Sequence, residues 1–517
     1  MSHSLLRQGS ILSLLTLVSR LLGLLREMTK AALLGTSALS DAFSIAFMLP
    51  NLFRRLFAEG SIAVAFIPTF KEYLKEEKTP ERLREFLSCT VTVLTCLVSG
   101  VVILGILAAP ALILIFGVEA FAETVLLTRL MFPFLAFISL AAFFQGILNS
   151  VDSFAPSGFA PIVLNGVTIA CAYGLSRWGT NPARALAVGI LIGGFLEAAL
   201  QLPFVLQKGF RFFFTDLRKA ARNPGVKKIF RLIVPTIIGM AAYQLNDLVS
   251  TALAGNAGAG TVSSLQYSLR LQELILGVFV VSLGTVLLPR LTDYAQSGRW
   301  DSYSEQVGSS VKSIALITIP ITFFTLGSGE SLIRLLFQGQ SFDENSVALT
   351  LCAFRGHIPG LFFIALNRIL APAFYAQSNS ASPTKAGIVA FAVNIVLAAV
   401  LAVPFKGAGI AAALSIASAV NTVMLFLFLK KNPQIAVKQI ISGLVGYGLK
   451  LMVFSALALM PVLYLNTLLS AAFDGANRLI RFGVPLALTG TVYAVLGLGL
   501  LFITGDSHIR ALIKGKL

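Results

Sequence analysis

The feature that most constrains this chain is a series of long apolar stretches that recur along nearly its whole length. A helix needs roughly 20 apolar residues to cross the bilayer core, which is about 30 Å thick. About fourteen stretches approach that length, and they begin near Gly9, Asp41, Phe86, Ala122, Pro156, Pro182, Ile229, Ser263, Gly308, Val347, Pro383, Gly407, Ile440 and Leu479. Only 12% of the 517 residues are charged, against about 25% in soluble domains. The sequence therefore predicts an all-α, polytopic membrane protein.

The distribution of the positive charges predicts the topology. The net charge is +17, and the loops that follow even-numbered stretches hold most of the cations, notably segments 71–84 and 208–228. Three loops that follow odd-numbered stretches, at 35–40, 117–123 and 254–260, contain neither lysine nor arginine. Cytoplasmic loops of membrane proteins carry such an excess of cations. We therefore expect both termini in the cytoplasm and basic loops that contact anionic lipid headgroups rather than nucleic acid.

An internal repeat divides the chain. The spacing from Phe144 to Asn149-Ser150 recurs from Phe374 to Asn379-Ser380, and the Pro68 to Tyr73 spacing recurs from Pro289 to Tyr294. Repeats in parallel order are typical of transporters built from two related helical bundles. The predicted organisation is a first six-helix lobe at 1–207, a basic cytoplasmic linker at 208–228, a second six-helix lobe at 229–431, and two further helices with a tail at 432–517. The phenylalanines of the linker suggest that it lies on the membrane surface.

Signatures of catalysis are missing from the sequence. No GxxxxGK[ST], HExxH or cysteine–histidine cluster with metal spacing occurs, and all four cysteines sit inside apolar stretches. His357, near Arg355, is read as a satisfied core residue rather than a proton carrier. We therefore expect no enzyme activity and no cofactor.

Charged residues inside the first apolar stretch are candidates for a binding site. An arginine at the centre of a spanning helix costs roughly 2.5–3.5 kcal/mol on insertion scales, so it normally faces a cavity or a partner. Helical geometry places Arg20 and Glu27 on one face, seven residues apart, with Arg26 about 120° away. If both arginines line one cavity, a bend at Gly23 is required. A self-neutralising pair of Arg20 with Glu27 is the alternative.

Further polar candidates follow in three other stretches. The second stretch contains Pro50, which should kink the helix, followed by Arg54 and Arg55. These arginines either line a cavity or reach the interface as anchors. The seventh stretch holds Asn246 and Asp247, and the eighth holds Arg270 and Glu273, one turn apart and able to pair. Because the arginines outnumber the acids, the pattern favours an anionic cargo, and phosphate matches the guanidinium fork.

Several motifs closely resemble those of the MurJ (MviN) lipid II flippase family, within the multidrug/oligosaccharidyl-lipid/polysaccharide exporter superfamily. They are SRLLG at 19–23, LPNLFRRLFAEG at 49–60, GILN at 146–149, GTVLLP at 284–289 and LAPAFY at 370–375. The resemblance covers nearly the whole chain and is weakest in the last two apolar stretches.

The resemblance implies a fold and a substrate. Expected are two pseudo-symmetric six-helix lobes around a central cavity, and two C-terminal helices whose groove holds a lipid tail. The implied substrate is lipid II, the undecaprenyl-diphosphate-linked peptidoglycan precursor, moved from the cytoplasmic to the outer leaflet of the bacterial inner membrane by alternating access. The implied substrate-binding residues are Arg20, Arg26, Arg54 and Arg270. The implied gate or cavity residues are Ser19, Glu27, Asp41, Arg55, Glu59, Asn246, Asp247 and Glu273.

The resemblance also bears on energy supply and partners. The family is linked to the membrane potential, and some members hold sodium in the second lobe. The candidates for such a monovalent-cation site here are Asp247 and Asn379, although Asn379 and Ser250 stand where many relatives have acids. Expected partners are lipid II, membrane lipids and cell-wall synthesis proteins. Alternatives are a flippase for another polyprenyl-linked oligosaccharide, a drug exporter of the same superfamily, and a membrane enzyme acting on polyprenyl phosphates.

Overall fold

The computed structural model describes residues 2–56, 65–75, 79–279, 281–506 and 508–510, with only the backbone described for 2–13, 235–236, 238–243, 278–279 and 281–286. Within these ranges the chain is helical and contains no strand. The contacts divide it into two compact units, residues 1–263 and 264–517. The predicted all-α class is confirmed.

The described part of the first unit contains ten complete α-helices. They are α1 (Ser2–Leu34), α2 (Ala38–Arg54), α3 (Ile67–Lys75), α4 (Pro80–Leu114), α5 (Phe121–Met131), α6 (Phe134–Ser150), α7 (Ala155–Arg177), α8 (Pro182–Gln207), α9 (Leu217–Arg222) and α10 (Pro224–Gly255). Its packing centres on α8, which contacts α5, α6 and α7, while α1 packs on α7.

Within its described residues, the second unit contains seven complete α-helices and most of α11 (Thr261–Phe279), whose first residues, 261–263, belong to the first unit. The complete helices are α12 (Val281–Gln296), α13 (Trp300–Phe337), α14 (Glu344–His357), α15 (Leu361–Tyr375), α16 (Ala381–Leu429), α17 (Val437–Ala472) and α18 (Val484–Ile503). Here α13 packs against α17, and α16 packs against α14 and α15. The lobe boundaries expected from the sequence repeat stay a prediction.

Eight helical segments of the described chain, one of them α5 together with α6, are long and apolar enough to cross a membrane, and nine if the bent pair α14 and α15 forms one span. One of these helices, α16, has 49 residues and is interrupted at Lys406, whose φ of 47° and ψ of −129° are not helical. That interruption separates the two stretches predicted to begin near Pro383 and Gly407. The protein is a multi-pass membrane protein, while the number of fourteen spans stays a prediction.

Close backbone approach holds α7 against α8. A Cβ added to Gly189 would lie 2.9 Å from the Cα of Thr168, and one added to Gly193 would lie 3.0 Å from the carbonyl oxygen of Leu164. Small residues at such contacts let the backbones of membrane helices pack closely, because lipid supplies no hydrophobic drive between helices.

The two halves share one turn geometry. Asp152 and Ser378 both have a φ of 56°, and the amides of Ser153 and Asn379 donate to carbonyls five residues earlier. Such a left-handed residue ending a helix is a common C-terminal cap. The equivalent turns are 226 positions apart, so Asn379 corresponds to Ser153. The match of Asn149 to Asn379 was therefore one helical turn out of register.

The basic linker is pinned to the first unit. The amides of Phe213 and Thr215 donate to Ser88 Oγ and Thr92 Oγ1 of α4, at 3.1 Å each. Phe210 packs edge-on against Phe70. Phe212 packs against Phe143 and Phe144 of α6. Phe213 and Phe214 are 49% and 68% exposed, and the position of the linker on the membrane surface stays a prediction.

Candidate functional site

The charged residues of α1 lie on a single uninterrupted helix. Arg20 is exposed and Ser19 is half-buried. Arg26 Nη2 lies 3.0 Å from Glu27 Oε1, with side chains 14% and 17% exposed. The structure therefore pairs Glu27 with its neighbour Arg26, a contact that the sequence analysis did not consider. Since α1 continues through Gly23, any bend there leaves the helix unbroken.

The first two helices are joined by cation–aromatic and hydrogen-bonding contacts. The Arg26 guanidinium lies 5.7 Å from the centroid of the Phe47 ring, and Lys30 Nζ donates to Ser44 Oγ at 2.8 Å. Lys30 is 4% exposed, which is rare for a lysine without a polar partner. Lys30 was not identified from the sequence. The signal was its position four residues after Arg26, which places both cations on the same side of α1.

Asp41 joins two distant parts of the first unit. This residue lies in the first turn of α2 and is 3% exposed. Its two carboxylate oxygens accept hydrogen bonds from the amides of Gly260 and Ser263, at 2.7 Å each. These amides belong to the start of α11, where the first N–H groups of a helix have no partner within the helix. Asp41 therefore caps α11 from another helix, and the sequence predicted its polarity but not this contact.

The end of α2 places Arg54 and Arg55 side by side in half-buried positions. Arg54 Nε donates to Asn51 Oδ1 at 2.8 Å. Asn51 directly follows Pro50, which lies inside α2. Anchoring through Nε fixes the direction of the planar guanidinium. The predicted site residue Glu59 lies outside the described residues.

In the second unit, α11 carries an ion pair and contacts a buried histidine at the end of α14. Arg270 Nη1 lies 3.0 Å from Glu273 Oε2, and both side chains are substantially exposed, at 40% and 56%. The pairing considered from their spacing is therefore present. Further along the unit, His357 Nδ1 lies 2.7 Å from Ser268 Oγ, and Gln272 donates to the carbonyl of His357. His357 is 2% exposed, as expected for a satisfied core residue.

The residues predicted to form a cation site are Asp247 and Asn379. Asn379 accepts from the Ser382 amide at 3.1 Å and donates to Ser382 Oγ at 3.0 Å, which caps the start of α16. Asn246 and Asp247 are half-buried on α10. Across the described ranges, no group of three or more His, Cys, Asp or Glu side chains is arranged to hold a metal ion. The sodium site near Asp247 and Asn379 stays a prediction.

One buried acid was not singled out from the sequence. Glu197 lies in the apolar helix α8 and is 7% exposed, and Gln201 Nε2 donates to its backbone carbonyl. An acid at membrane depth is a functional candidate by default. The signal was available in the sequence, where Glu197 interrupts an otherwise uncharged run from 185 to 207.

Comparison with known proteins decides the family. The family model described as lipid II flippase MurJ matches residues 30–481. The chain is 45% identical over 508 residues to the "Probable lipid II flippase MurJ" of Treponema pallidum (strain Nichols), covering 97% of this chain and 96% of that protein. This chain belongs to the MurJ family. The resemblance read from its motifs is confirmed.

More distant relatives agree with the family. The "Lipid II flippase MurJ" of Burkholderia cenocepacia is 34% identical over 430 residues, covering 81% of this chain and 82% of that protein. A solved structure of "Lipid II flippase MurJ, inward closed conformation" matches with a TM-score of 0.77 at 23% identity, over 95% of this chain and 99% of that chain. A solved structure of an inward-facing MATE transporter of the MOP superfamily matches with a TM-score of 0.67 at 14% identity, over 81% of this chain and 96% of that chain. The fold of this chain is therefore shared with solved structures of MurJ and of a MATE transporter.

Proposed function

We propose that this chain is a lipid II flippase, moving the diphosphate-linked peptidoglycan precursor from the inner to the outer leaflet of a bacterial inner membrane. The observation that carries the proposal is its 45% identity, over nearly its full length, to a protein named for that activity. The proposal includes cytoplasmic termini, which the distribution of lysine and arginine supports.

The arginines supply the chemistry that a diphosphate needs. Arg26 offers five N–H donors, of which Glu27 engages Nη2, so a phosphate can bind the same guanidinium. The pair of Arg270 and Glu273 is substantially exposed, and exposed pairs are worth only about 0–1 kcal/mol. An incoming diphosphate, with more charge than one carboxylate, can therefore displace Glu273 at little cost. Arg20 and Arg54 complete the proposed set of substrate-binding residues.

The remaining polar residues have proposed roles in gating. Asp41 joins α2 to the amides at the start of α11, and breaking those bonds would free both elements to move. Ser19, Arg55, Glu59, Asn246 and Asp247 are proposed to line the path or its gates. Transport would follow alternating access, in which bound substrate shifts the balance between inward-open and outward-open states. The proposed energy source is the membrane potential or a monovalent ion, with no cofactor.

The test is a depletion experiment in the native bacterium. Cells depleted of the chain are treated with a membrane-impermeant enzyme that cleaves lipid II, and the cleaved fraction measures exposure on the outer leaflet. We expect exposure to fall on depletion and to recover with the plasmid-borne chain. Unchanged exposure in a strain without another flippase would overturn the proposal.

The same experiment separates the alternatives. If total lipid II stays constant while exposure falls, the defect lies in transport rather than synthesis. A membrane enzyme acting on polyprenyl phosphates would instead change the total amount or the chemical form of the lipid. A flippase for another oligosaccharide would leave lipid II exposure intact and alter a different surface polymer.

A further inference from the structure

An apolar groove of about 140 Å³ lies in the first unit between α4 and α10. Val93, Leu94 and Leu97 line it from α4. From α10 it is lined at spacings of three or four residues, by Ile229, Ile233 and Ile237 among others. These spacings place each set on one face of its helix. The groove therefore lies between an apolar face of α4 and an apolar face of α10.

The floor and rim of the groove differ in exposure. Phe66 and Phe143 also line it and are 2% and 1% exposed, whereas Leu97 and Val234 are 36% and 51% exposed. A buried aromatic floor with an exposed aliphatic rim describes a slot open on one side. Apart from Thr90, the residues that line the slot are apolar, so the slot suits a hydrocarbon chain better than water.

Two cations lie where a headgroup would sit. Lys227, Phe230, Arg231 and Val234 follow the spacing i, i+3, i+4, i+7, so they form one stripe beside the groove. Both cations are exposed and lie at the start of α10, on the predicted cytoplasmic side. Arginine and lysine near this level reach the interface with their charged ends.

Lys227 and Arg231 differ from two neighbouring lysines, which form ion pairs with glutamates. Lys219 pairs with Glu85 at 3.0 Å, and Lys228 pairs with Glu72. Among the residues that the structure describes, no carboxylate pairs with Lys227 or Arg231. The basic stripe therefore has charge available for an anion from the membrane.

We propose that the groove binds one acyl chain of an anionic diacyl phospholipid of the cytoplasmic leaflet, with its phosphate held by Lys227 and Arg231. The lipid would fill the gap between α4 and α10 beneath the pinned linker. This site is separate from the residues proposed to handle the transported substrate, and it does not depend on what that substrate is.

The test uses tryptophan fluorescence in vesicles. In full-length protein carrying Trp178→Phe and Trp300→Phe, a Leu97→Trp reporter sits on the groove rim, and Leu104→Trp serves as the matched control. Leu104 lies two turns further along α4 and is 67% exposed. Each protein is reconstituted in phosphatidylcholine containing a small, fixed fraction of either brominated phosphatidylglycerol or brominated phosphatidylcholine.

We expect brominated phosphatidylglycerol to quench the Leu97→Trp reporter more strongly than brominated phosphatidylcholine does, and both to quench Leu104→Trp equally. The double variant Lys227→Ala and Arg231→Ala should weaken that preference by roughly fivefold or more. The matched charge control, Lys208→Ala with Arg211→Ala, removes two exposed linker cations and should leave the preference unchanged.

Three outcomes would overturn the proposal. One is equal quenching by both lipids at Leu97→Trp, and another is a preference that survives removal of Lys227 and Arg231. The third is relief of quenching by added undecaprenyl phosphate at a lower mole fraction than unbrominated phosphatidylglycerol, which would identify a polyprenyl chain as the occupant. An Ile233→Phe variant that fills the groove should abolish the preference at Leu97→Trp while Leu104→Trp is unaffected, which excludes unfolding as the cause.

Discussion

At the scale of single residues, the arginines of the apolar helices differ in how firmly they are held. Arg26 contacts both Glu27 and the Phe47 ring, while Arg54 is oriented by Asn51. Arg270 is held by a more exposed pair with Glu273. A guanidinium with one acidic neighbour retains further N–H donors for a phosphate.

Arg26 should be the most sensitive to replacement. Arg26→Ala removes a charge-assisted contact worth about 1.5–3 kcal/mol, so we expect lipid II exposure to fall by roughly tenfold or more. Arg26→Lys keeps the charge without the bidentate fork and should retain intermediate activity. The measurement is the outer-leaflet cleavage assay at matched expression.

The control for Arg26 is Arg184. Its guanidinium binds both oxygens of Glu123 at an exposed position, so Arg184→Ala removes an arginine ion pair outside the proposed path. We expect cells that carry Arg184→Ala to expose as much lipid II on the outer leaflet as wild-type cells do. Equal activity of Arg26→Ala and Arg184→Ala would remove Arg26 from the proposed binding site.

Asp41 should not tolerate asparagine. Both of its oxygens accept backbone amides, and the asparagine NH₂ would face an N–H donor instead of an acceptor. Leaving one buried amide unpaired costs about 1–3 kcal/mol, so Asp41→Asn should lower the thermal midpoint of the purified protein and its transport. A wild-type midpoint in Asp41→Asn would mean that the two hydrogen bonds contribute little.

At the scale of helices, the contact between α7 and α8 depends on glycine at one position and not at another. Gly189→Ala would place a methyl group 2.9 Å from the Thr168 Cα, and such overpacking costs about 1–3 kcal/mol. Gly174→Ala on α7 meets nothing within 4 Å and should stabilise its helix by about 0.5–1 kcal/mol. Thermal unfolding in detergent should therefore move in opposite directions for the two variants.

The start of α14 should be sensitive to acid. The Ser346 backbone amide donates to Asp343 Oδ1 at 2.9 Å, and this bond holds the pKa of the Asp343 carboxyl below its ordinary value. The stabilisation is complete above the unfolded pKa of about 3.9 and is lost as the pH falls through the lower folded value. Asp343→Ala should cost about 1 kcal/mol at neutral pH.

Asp343→Asn provides the comparison, because asparagine caps helices as well as aspartate does but does not titrate. Its thermal midpoint should match wild type at neutral pH and decline less on acidification to below about pH 4. A parallel decline in both proteins would assign the acid sensitivity to other groups.

At the scale of the whole molecule, the charge distribution predicts which loops face each side. With Cys96 and Cys352, the exposed native cysteines, replaced by alanine, a membrane-impermeant maleimide should label Gly258→Cys in intact cells. The same reagent should label Arg218→Cys only after the membrane is permeabilised. Labelling of Arg218→Cys in intact cells would contradict cytoplasmic termini.

The sequence by itself determined the helical membrane class, the family and the residue types at the candidate site. These follow from composition, from the length of apolar stretches and from short motifs, all of which are local in the chain. The tertiary structure alone decided the partners. It paired Arg26 with its neighbour Glu27, joined Asp41 to amides over 200 positions away, and packed Phe210 and Phe212 against Phe70 and Phe144. A side chain's partner depends on which helices pack together and at which rotation, and helical periodicity specifies a face but not its neighbour.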